Sequence, residues 1–407
     1  MEIPAYIPTA IGQVADPEAI HDTAVRAGEA RRILLVLFAA LVAQQLLLSL
    51  PALLLRRDIN YCPRGFFGVD FGMCMKASRD FLNGTSPYAR DNFYPPPLSC
   101  LVAIPFLPFG WPTATYAFFV ANLAMMLTAL ALTARCFSLR SFTEVALLAG
   151  IFGLYCPSYW LLQRGNIDGI VMLCVALVIW SVGRAWASAF VVLGASLKIY
   201  PLVMLAYFAT AQRWRALCIA GLTALISVAV VWPLWPAYGH AIVTRSTRWQ
   251  VDFNVSLFNF AISLMGVLGL PRAGGVALAA AAAVGFFALQ ARADQRAPAQ
   301  STTAEAARLA LYIPFFAAAP LVVYPYTQVS FLLLLPAFWW MSRIGVVSPS
   351  TELCFVIGFL LTATQASAWT YLTGRVGFDL FPPTGTLLML TACTAAKREW
   401  ALPSHSG

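Results

Sequence analysis

From Ile33 to Leu55 the chain runs without a charged residue, and comparably apolar stretches return almost to its end. About 20 apolar residues of helix cross a bilayer core. Runs of this length, repeated, point to an environment in which only helices satisfy their own backbone, the interior of a membrane. The overall balance agrees: 60% of residues are hydrophobic and 11% charged, with a mean hydropathy of +0.75. This composition excludes an ordinary soluble domain. The first run is longer than the apolar core of a signal peptide, starts late, and is followed by Arg56, Arg57 and Asp58 with no small-residue cleavage site. It is therefore expected to remain as a transmembrane helix.

Hydropathy predicts spans near 33–55, 95–110, 112–134, 144–160, 167–183, 187–211, 215–232, 274–291, 309–324, 326–341, 352–371 and 382–396, about twelve in all. The predicted fold is an all-α polytopic membrane protein. Arg26, Arg31 and Arg32 precede the first span, Arg213 and Arg215 follow the sixth, Arg292, Arg296 and Arg308 flank a later loop, and Arg343, Lys397 and Arg398 follow later spans. The positive-inside rule makes all of these cytoplasmic in one layout. That layout puts a first loop of 56–94, a second of 233–255, and 372–381 outside. It leaves 1–32 and 399–407 as cytoplasmic tails around a single membrane domain of 33–398. Arg135 and Arg140 fit it poorly. They become cytoplasmic in a second layout, with 98–109 re-entrant and 187–211 a hairpin broken near Lys198, and the sequence leaves both open.

The net charge of +9 comes mainly from these helix-end cations, and no separate basic domain exists to hold nucleic acid. The expected partners include membrane lipids and exclude nucleic acid. The nine cysteines are scattered without CxxC or Cys/His spacing, so no metal site is predicted. Cys62 and Cys74 share the first loop and could pair in an oxidising compartment. The composition of 1–25 and of 294–305 reads as a tail and a flexible loop, and no internal repeat is visible.

Chemistry-bearing residues gather in Gly65 to Pro97, where Asp70, Lys76, Arg79, Asp80, Arg90 and Asp91 stand among aromatics. Phe67, Phe71, Cys74, Met75, Ser78 and Leu82 recur at helical spacing, which predicts a surface-lying amphipathic helix ended by Asn83-Gly84. It would hold Asp70 at a fixed depth; its polar face could equally be a solvated surface. Within an apolar run, Ser196-Leu-Lys-Ile-Tyr-Pro201 carries an ammonium group and a proline, suited to an anionic ligand such as a lipid phosphate or to a lysine snorkelling from a helix end. Gln163-Arg-Gly-Asn-Ile-Asp168 joins two spans and by itself reads as a polar connector. Arg245, Arg248, Trp249, Gln250, Asp252, Asn254 and Ser256 suit a phosphate or sugar, because guanidinium forks bind oxyanions and aromatic faces stack on sugar rings. Trp232, Trp235 and Tyr238 read as an interfacial belt. Val323-Tyr-Pro-Tyr-Thr-Gln328 reads as a turn.

The order of these pieces resembles the glycosyltransferase C superfamily, most closely the polyprenyl-phosphate-mannose-dependent alpha-mannosyltransferases, a family that also contains arabinofuranosyltransferases. The residues that carry the likeness are Asp70, Gly84 to Tyr88, Tyr94 to Leu98, Arg164-Gly165-Asn166, Lys198 to Pro201, Arg213-Trp214-Arg215 and Asn254-Val255-Ser256. The strings Gly84-Thr-Ser-Pro-Tyr88 and Lys198-Ile-Tyr-Pro201 are also similar to the first mannosyltransferase of glycosylphosphatidylinositol anchor synthesis. Departures are present: Gln163-Arg-Gly-Asn166 stands where the family has Gly-Gln-x-Asn, and the Tyr324 patch lacks histidines. Val69-Asp70-Phe71 offers one acid rather than Asp-x-Asp, which argues against a metal-clamped nucleotide-sugar donor.

The resemblance implies a glycosyltransferase C type helical bundle in the cell (inner) membrane. It implies transfer of a sugar, mannose by this likeness, from a polyprenyl phosphate to a lipid-linked or envelope glycan acceptor on the outer face, with inversion. No cofactor is implied. Asp70 is expected to be the base. Lys198, Arg164 and Arg248 are candidates for the phosphate, and Tyr88, Tyr94, Asn166 and Asn254 for the sugar. Two other readings stay open: a transporter or flippase of lipid-linked sugars, against which the missing repeat counts, and a polymerase or ligase of lipid-linked glycans, which usually carries its large loop late in the chain.

Overall fold

The computed structural model describes residues 28, 31–46, 67–89, 95–245, 256–296, 301–318, 325–363 and 381–401. Among the described residues every regular element is helical. Helix α1 covers 31–46, α2 Val69–Leu82, α3 Trp111–Cys136, α4 Phe142–Leu154, α5 Cys156–Arg164, α6 Asp168–Trp180, α7 Ala187–Leu197, α8 Leu205–Thr210 and α9 Trp214–Val230. They are followed by α10 Trp235–Arg245, α11 Leu257–Val267, α12 Arg272–Arg296, α13 Thr302–Ala310, α14 Phe315–Ala318, α15 Leu334–Arg343, α16 Pro349–Ala363 and α17 Phe381–Ala401.

Among the described residues, continuous spans are fewer than hydropathy predicts. Two described helices, α3 and α12, are long and apolar enough to cross a membrane, and up to four spans result if two bent pairs each count as one. One pair is α4 with α5, bent by 60°; the other is α9 with the segment Trp232–Thr244, bent by 77°. Proline accounts for much of the fragmentation, since it removes a backbone donor and disfavours helix in the residue before it. Pro157 starts α5 after the bend, and Pro233 sits in the second bend. The predicted span at 95–110 instead forms the short 3-10 turns Pro97–Leu101 and Ile104–Phe106, where Pro95, Pro96, Pro97 and Pro105 crowd together. The predicted span at 187–211 breaks at Lys198, whose backbone is extended (φ −150°, ψ 118°), and resumes as the 3-10 turn Tyr200–Met204 and then α8. The break near Lys198 is a feature of the second of the two layouts.

Arg140 points the same way. It lines one recess with Arg31, which precedes the first span, and Arg343, which ends α15. One of the two arginines that fitted poorly therefore shares an end of the bundle with two that fitted well.

In the stretch 294–305, expected to be a flexible loop, residues 294–296 and 302–305 are helical. Helix α12 runs through Arg296, and Ser301 caps α13 by accepting the Ala304 N–H at 3.1 Å. Asp294 accepts hydrogen bonds from Lys397 Nζ and the Tyr312 hydroxyl, each at 2.8 Å, which ties α12 to α17. The described part of the patch read as a turn at 323–328 belongs to a 3-10 run, Pro325–Leu333, of which 327–333 are buried in the core. There the backbone carbonyl of Gln328 accepts from the Tyr155 hydroxyl at 3.2 Å, anchoring the bend between α4 and α5. Cys74 is a buried free thiol, while Cys62 lies outside the described residues.

Candidate functional site

Two breaks in the bundle meet beside α2. The first follows α5, whose last residue is Arg164; Gly165 adopts the left-handed conformation (φ 65°) and α6 starts at Asp168. Glycine is required twice over, by that φ and by space: a Cβ here would lie 2.9 Å from the Cβ of Phe71 and 3.4 Å from the Cα of Gly68. The turn therefore sits directly on the start of α2. A backbone bond from Gly68 N–H to the Gln163 carbonyl, 2.8 Å, fixes the contact.

Asp70, on the first turn of α2, is buried at 6% exposure. The predicted apolar spacing holds at Phe71, Cys74, Met75 and Ser78, all buried, and Asp70 lies on that buried side, not on a solvated polar face. Its carboxylate accepts Arg164 Nη2 on Oδ1 at 2.7 Å and Arg164 Nε on Oδ2 at 3.1 Å. Asn166 Nδ2 adds a third bond to Oδ2 at 2.7 Å. The paired geometry of guanidinium and carboxylate fixes the plane of the carboxylate as well as its position. Arg164, expected on the phosphate, is thus engaged with the base candidate.

Asn166 connects this carboxylate to a second. Its Oδ1 accepts the backbone N–H of Asp168 at 3.1 Å, and its own carbonyl accepts Asn122 Nδ2 from the middle of α3 at 2.8 Å. Asp168 is fully buried. The Tyr200 hydroxyl donates to its Oδ1, and Lys198 Nζ lies 3.5 Å from its Oδ2. Both partners come from the second break, the Lys198–Tyr200 stretch between α7 and the turn ahead of α8. Cys74, one turn along α2 from Asp70, is within electrostatic reach of both Asp70 and Lys198, so the two breaks and α2 enclose one charged locus.

Asp168, Tyr200 and Asn122 were not among the expected site residues. The first two lie inside strings that drew attention for other residues. The missed signal is that a lysine and an aspartate, each in an apolar run, need each other or a ligand. Tyr88 is buried among protein: its hydroxyl donates to the Pro95 carbonyl at 2.7 Å, and its ring lies 5.4 Å from that of Tyr238. Gly84 (φ 71°) and Thr85, whose N–H and hydroxyl both reach the Asp80 carbonyl at 2.8 and 2.9 Å, close α2 ahead of it. Tyr94, Arg248 and Asn254 lie outside the described residues. Ser256, next to Asn254, caps α11 through the Asn259 N–H at 3.0 Å. Among the described residues no three His, Cys, Asp or Glu side chains group as metal ligands.

A family model described as glycosyltransferase family 87 matches residues 92–314, a range that takes in Asn122, Arg164, Asn166, Asp168, Lys198 and Tyr200. Among curated proteins no match is found.

Proposed function

Since this chain, matched over more than half its length, belongs to glycosyltransferase family 87, we propose that it takes its sugar from a polyprenyl phosphate and uses Asp70 as the base. The protein is a helical membrane glycosyltransferase. On our reading it is a single membrane domain of 33–398 in the cell membrane, crossing it repeatedly and working at the outer face. Mannose is the proposed sugar, a lipid-linked or envelope glycan the proposed acceptor, and inversion the proposed outcome.

The observation that carries the reading is the pair of buried carboxylates joined through Asn166, one fastened to Arg164 and the other beside Lys198. The acceptor hydroxyl gives its proton to Asp70 as its oxygen attacks the anomeric carbon. On the opposite face the bond from that carbon to the phosphate oxygen breaks, and polyprenyl phosphate leaves with the electron pair. Two carboxylate oxygens offer about four lone-pair positions, and Arg164 with Asn166 occupies three at Asp70. One position on Oδ1 is left for the incoming hydroxyl. Lys198 is the proposed cation for the developing phosphate charge, for which preorganised positive groups serve best. Arg164 and Asn166 become positioning residues for Asp70; Asp168 and Tyr200 take that role for Lys198. Tyr88 braces the Pro95 turn. Arg248 remains a proposed phosphate contact, and Tyr94 and Asn254 proposed sugar contacts.

The test is transfer by purified protein from radiolabelled polyprenyl-phosphate mannose to membrane-derived lipid acceptors, with the anomeric configuration of the product read by specific glycosidases. Inverted product from the wild type supports the proposal. Transfer from a nucleotide sugar alone would overturn the donor assignment.

A further inference from the structure

At the end of the bundle where Arg140 meets Arg31 and Arg343, two adjoining hollows have no part in the chemistry above. The first is a polar recess of about 710 Å³ bordered by these three arginines, Ser138, Ser141 and Glu144. Glu144 is the one acid among the described residues that border it, and it is buried in a capping box, with Ser141 N–H to Glu144 Oε2 at 3.3 Å and Glu144 N–H to Ser141 Oγ at 3.2 Å. Among the described residues of the recess, arginines therefore outnumber carboxylates. Arg31 and Arg140 are exposed, and Arg343 extends over the Trp339 ring at 5.3 Å. The second hollow, about 630 Å³, is an apolar groove between α3 and α4, walled by Leu127, Leu130 and Ala131 on one side and Val145 and Leu148 on the other. Arg140 lines both hollows, so the groove runs into the recess.

We propose that this paired hollow binds one anionic glycerophospholipid, its phosphate among Arg31, Arg140 and Arg343 and an acyl chain in the α3–α4 groove. Guanidinium forks match phosphate oxygens in geometry as well as charge. The groove leading away from them is walled mainly by apolar side chains, with Arg135 and Arg140 also lining it, and suits a hydrocarbon chain below a charged headgroup. Clustered basic side chains at the cytoplasmic ends of helices meet the anionic leaflet there. Because α3 carries Asn122, which holds the Asn166 turn, the lipid would sit against the helix that supports the reaction site from the far end.

The experiment reconstitutes the full chain in vesicles of equal dioleoyl-phosphatidylglycerol and dioleoyl-phosphatidylcholine, extracts it gently, and counts retained lipids by native mass spectrometry. Wild type is expected to keep phosphatidylglycerol in preference by about tenfold, the scale of one charge-assisted contact. Arg140→Gln and, separately, Arg31→Gln should bring that preference close to unity. Ala131→Trp, which fills the groove and leaves the arginines, should lower retention of both lipids. Arg215→Gln, a cation outside both hollows, should change neither. Equal retention of the two lipids by the wild type overturns the proposal, as does an unchanged preference in Arg140→Gln and Arg31→Gln. Displacement of phosphatidylglycerol by an equal amount of undecaprenyl phosphate would overturn the assigned occupant.

Discussion

Arg164 holds Asp70 through two nitrogens, at 2.7 and 3.1 Å, across a sequence separation of 94 residues. If this contact orients the base, Arg164→Lys keeps the charge but loses the fork, because an ammonium cannot reproduce two parallel bonds. Turnover should fall about 10- to 100-fold while the apparent affinity for the lipid donor changes little, since misplacement of a reacting group costs rate on this scale. Steady-state kinetics with varied donor separate the two. A loss concentrated in donor affinity would return Arg164 to the phosphate.

Asp70→Asn preserves size and an oxygen acceptor while removing the proton acceptor. A base acting in the transition state contributes about 10²- to 10⁴-fold. Purified variant should extract and bind donor normally, yet transfer sugar at a rate reduced by that factor. Asp80→Asn and Asp91→Asn serve as controls and should retain most activity. Near wild-type transfer by Asp70→Asn, with either control inactive, would mean that another carboxylate is the base.

Much of this arrangement was legible before any coordinates. The 3.6-residue spacing of Phe71, Cys74, Met75 and Ser78 announced α2, and the polar string Gln163 to Asp168 announced a connector between two spans. What no periodicity can convey is which distant polar groups meet. Arg164 looked available for phosphate because its partner lies in another helix, and Asp168 looked like connector because its neutralising lysine arrives from a different break. Hydropathy registers apolar content and is blind to proline-driven breaks, such as those at Pro97, Pro157 and Pro201 among the described residues. Asp294 misled in the opposite sense: its polar neighbours suggested a loop, and its pairing with Lys397 made it the end of a helix.

Gly165→Ala tests how tightly the turn must sit on α2. A left-handed φ costs a non-glycine residue about 1–2 kcal/mol, and the added methyl meets the Cβ of Phe71 at 2.9 Å. Thermal unfolding in detergent should show a lower midpoint. Activity should fall further than stability, because relieving the contact moves Arg164 and Asn166 away from Asp70.

The proposed topology, with the end of α2 outside and the start of α9 at the opposite, cytoplasmic end, is open to direct test. Thr85, exposed beyond the end of α2, should label with an impermeant thiol reagent on intact cells when replaced by cysteine in a background without native cysteines. Gln212, exposed beside Arg213 at the opposite end, should label as cysteine only after the membrane is opened. The reverse pattern would turn the bundle over and put Asp70 at the cytoplasmic face.

Lys198 and Asp168 allow a separation of structural from chemical roles. Asp168 is fully buried and its Oδ2 faces Lys198 Nζ at 3.5 Å, so Lys198→Met takes this cation from a buried carboxylate, and Asp168→Asn takes this negative charge from the lysine. Breaking a buried pair from one side costs about 3–5 kcal/mol, whereas removing both charges is often close to neutral. The double variant Lys198→Met/Asp168→Asn should therefore recover much of the thermal stability that each single variant loses, a coupling read directly from the mutant cycle. Donor use should not recover with it, because the cation proposed for the phosphate is gone in the double variant as in the single one. If transfer returns along with stability, Lys198 serves only to neutralise Asp168, and the phosphate is held by other groups.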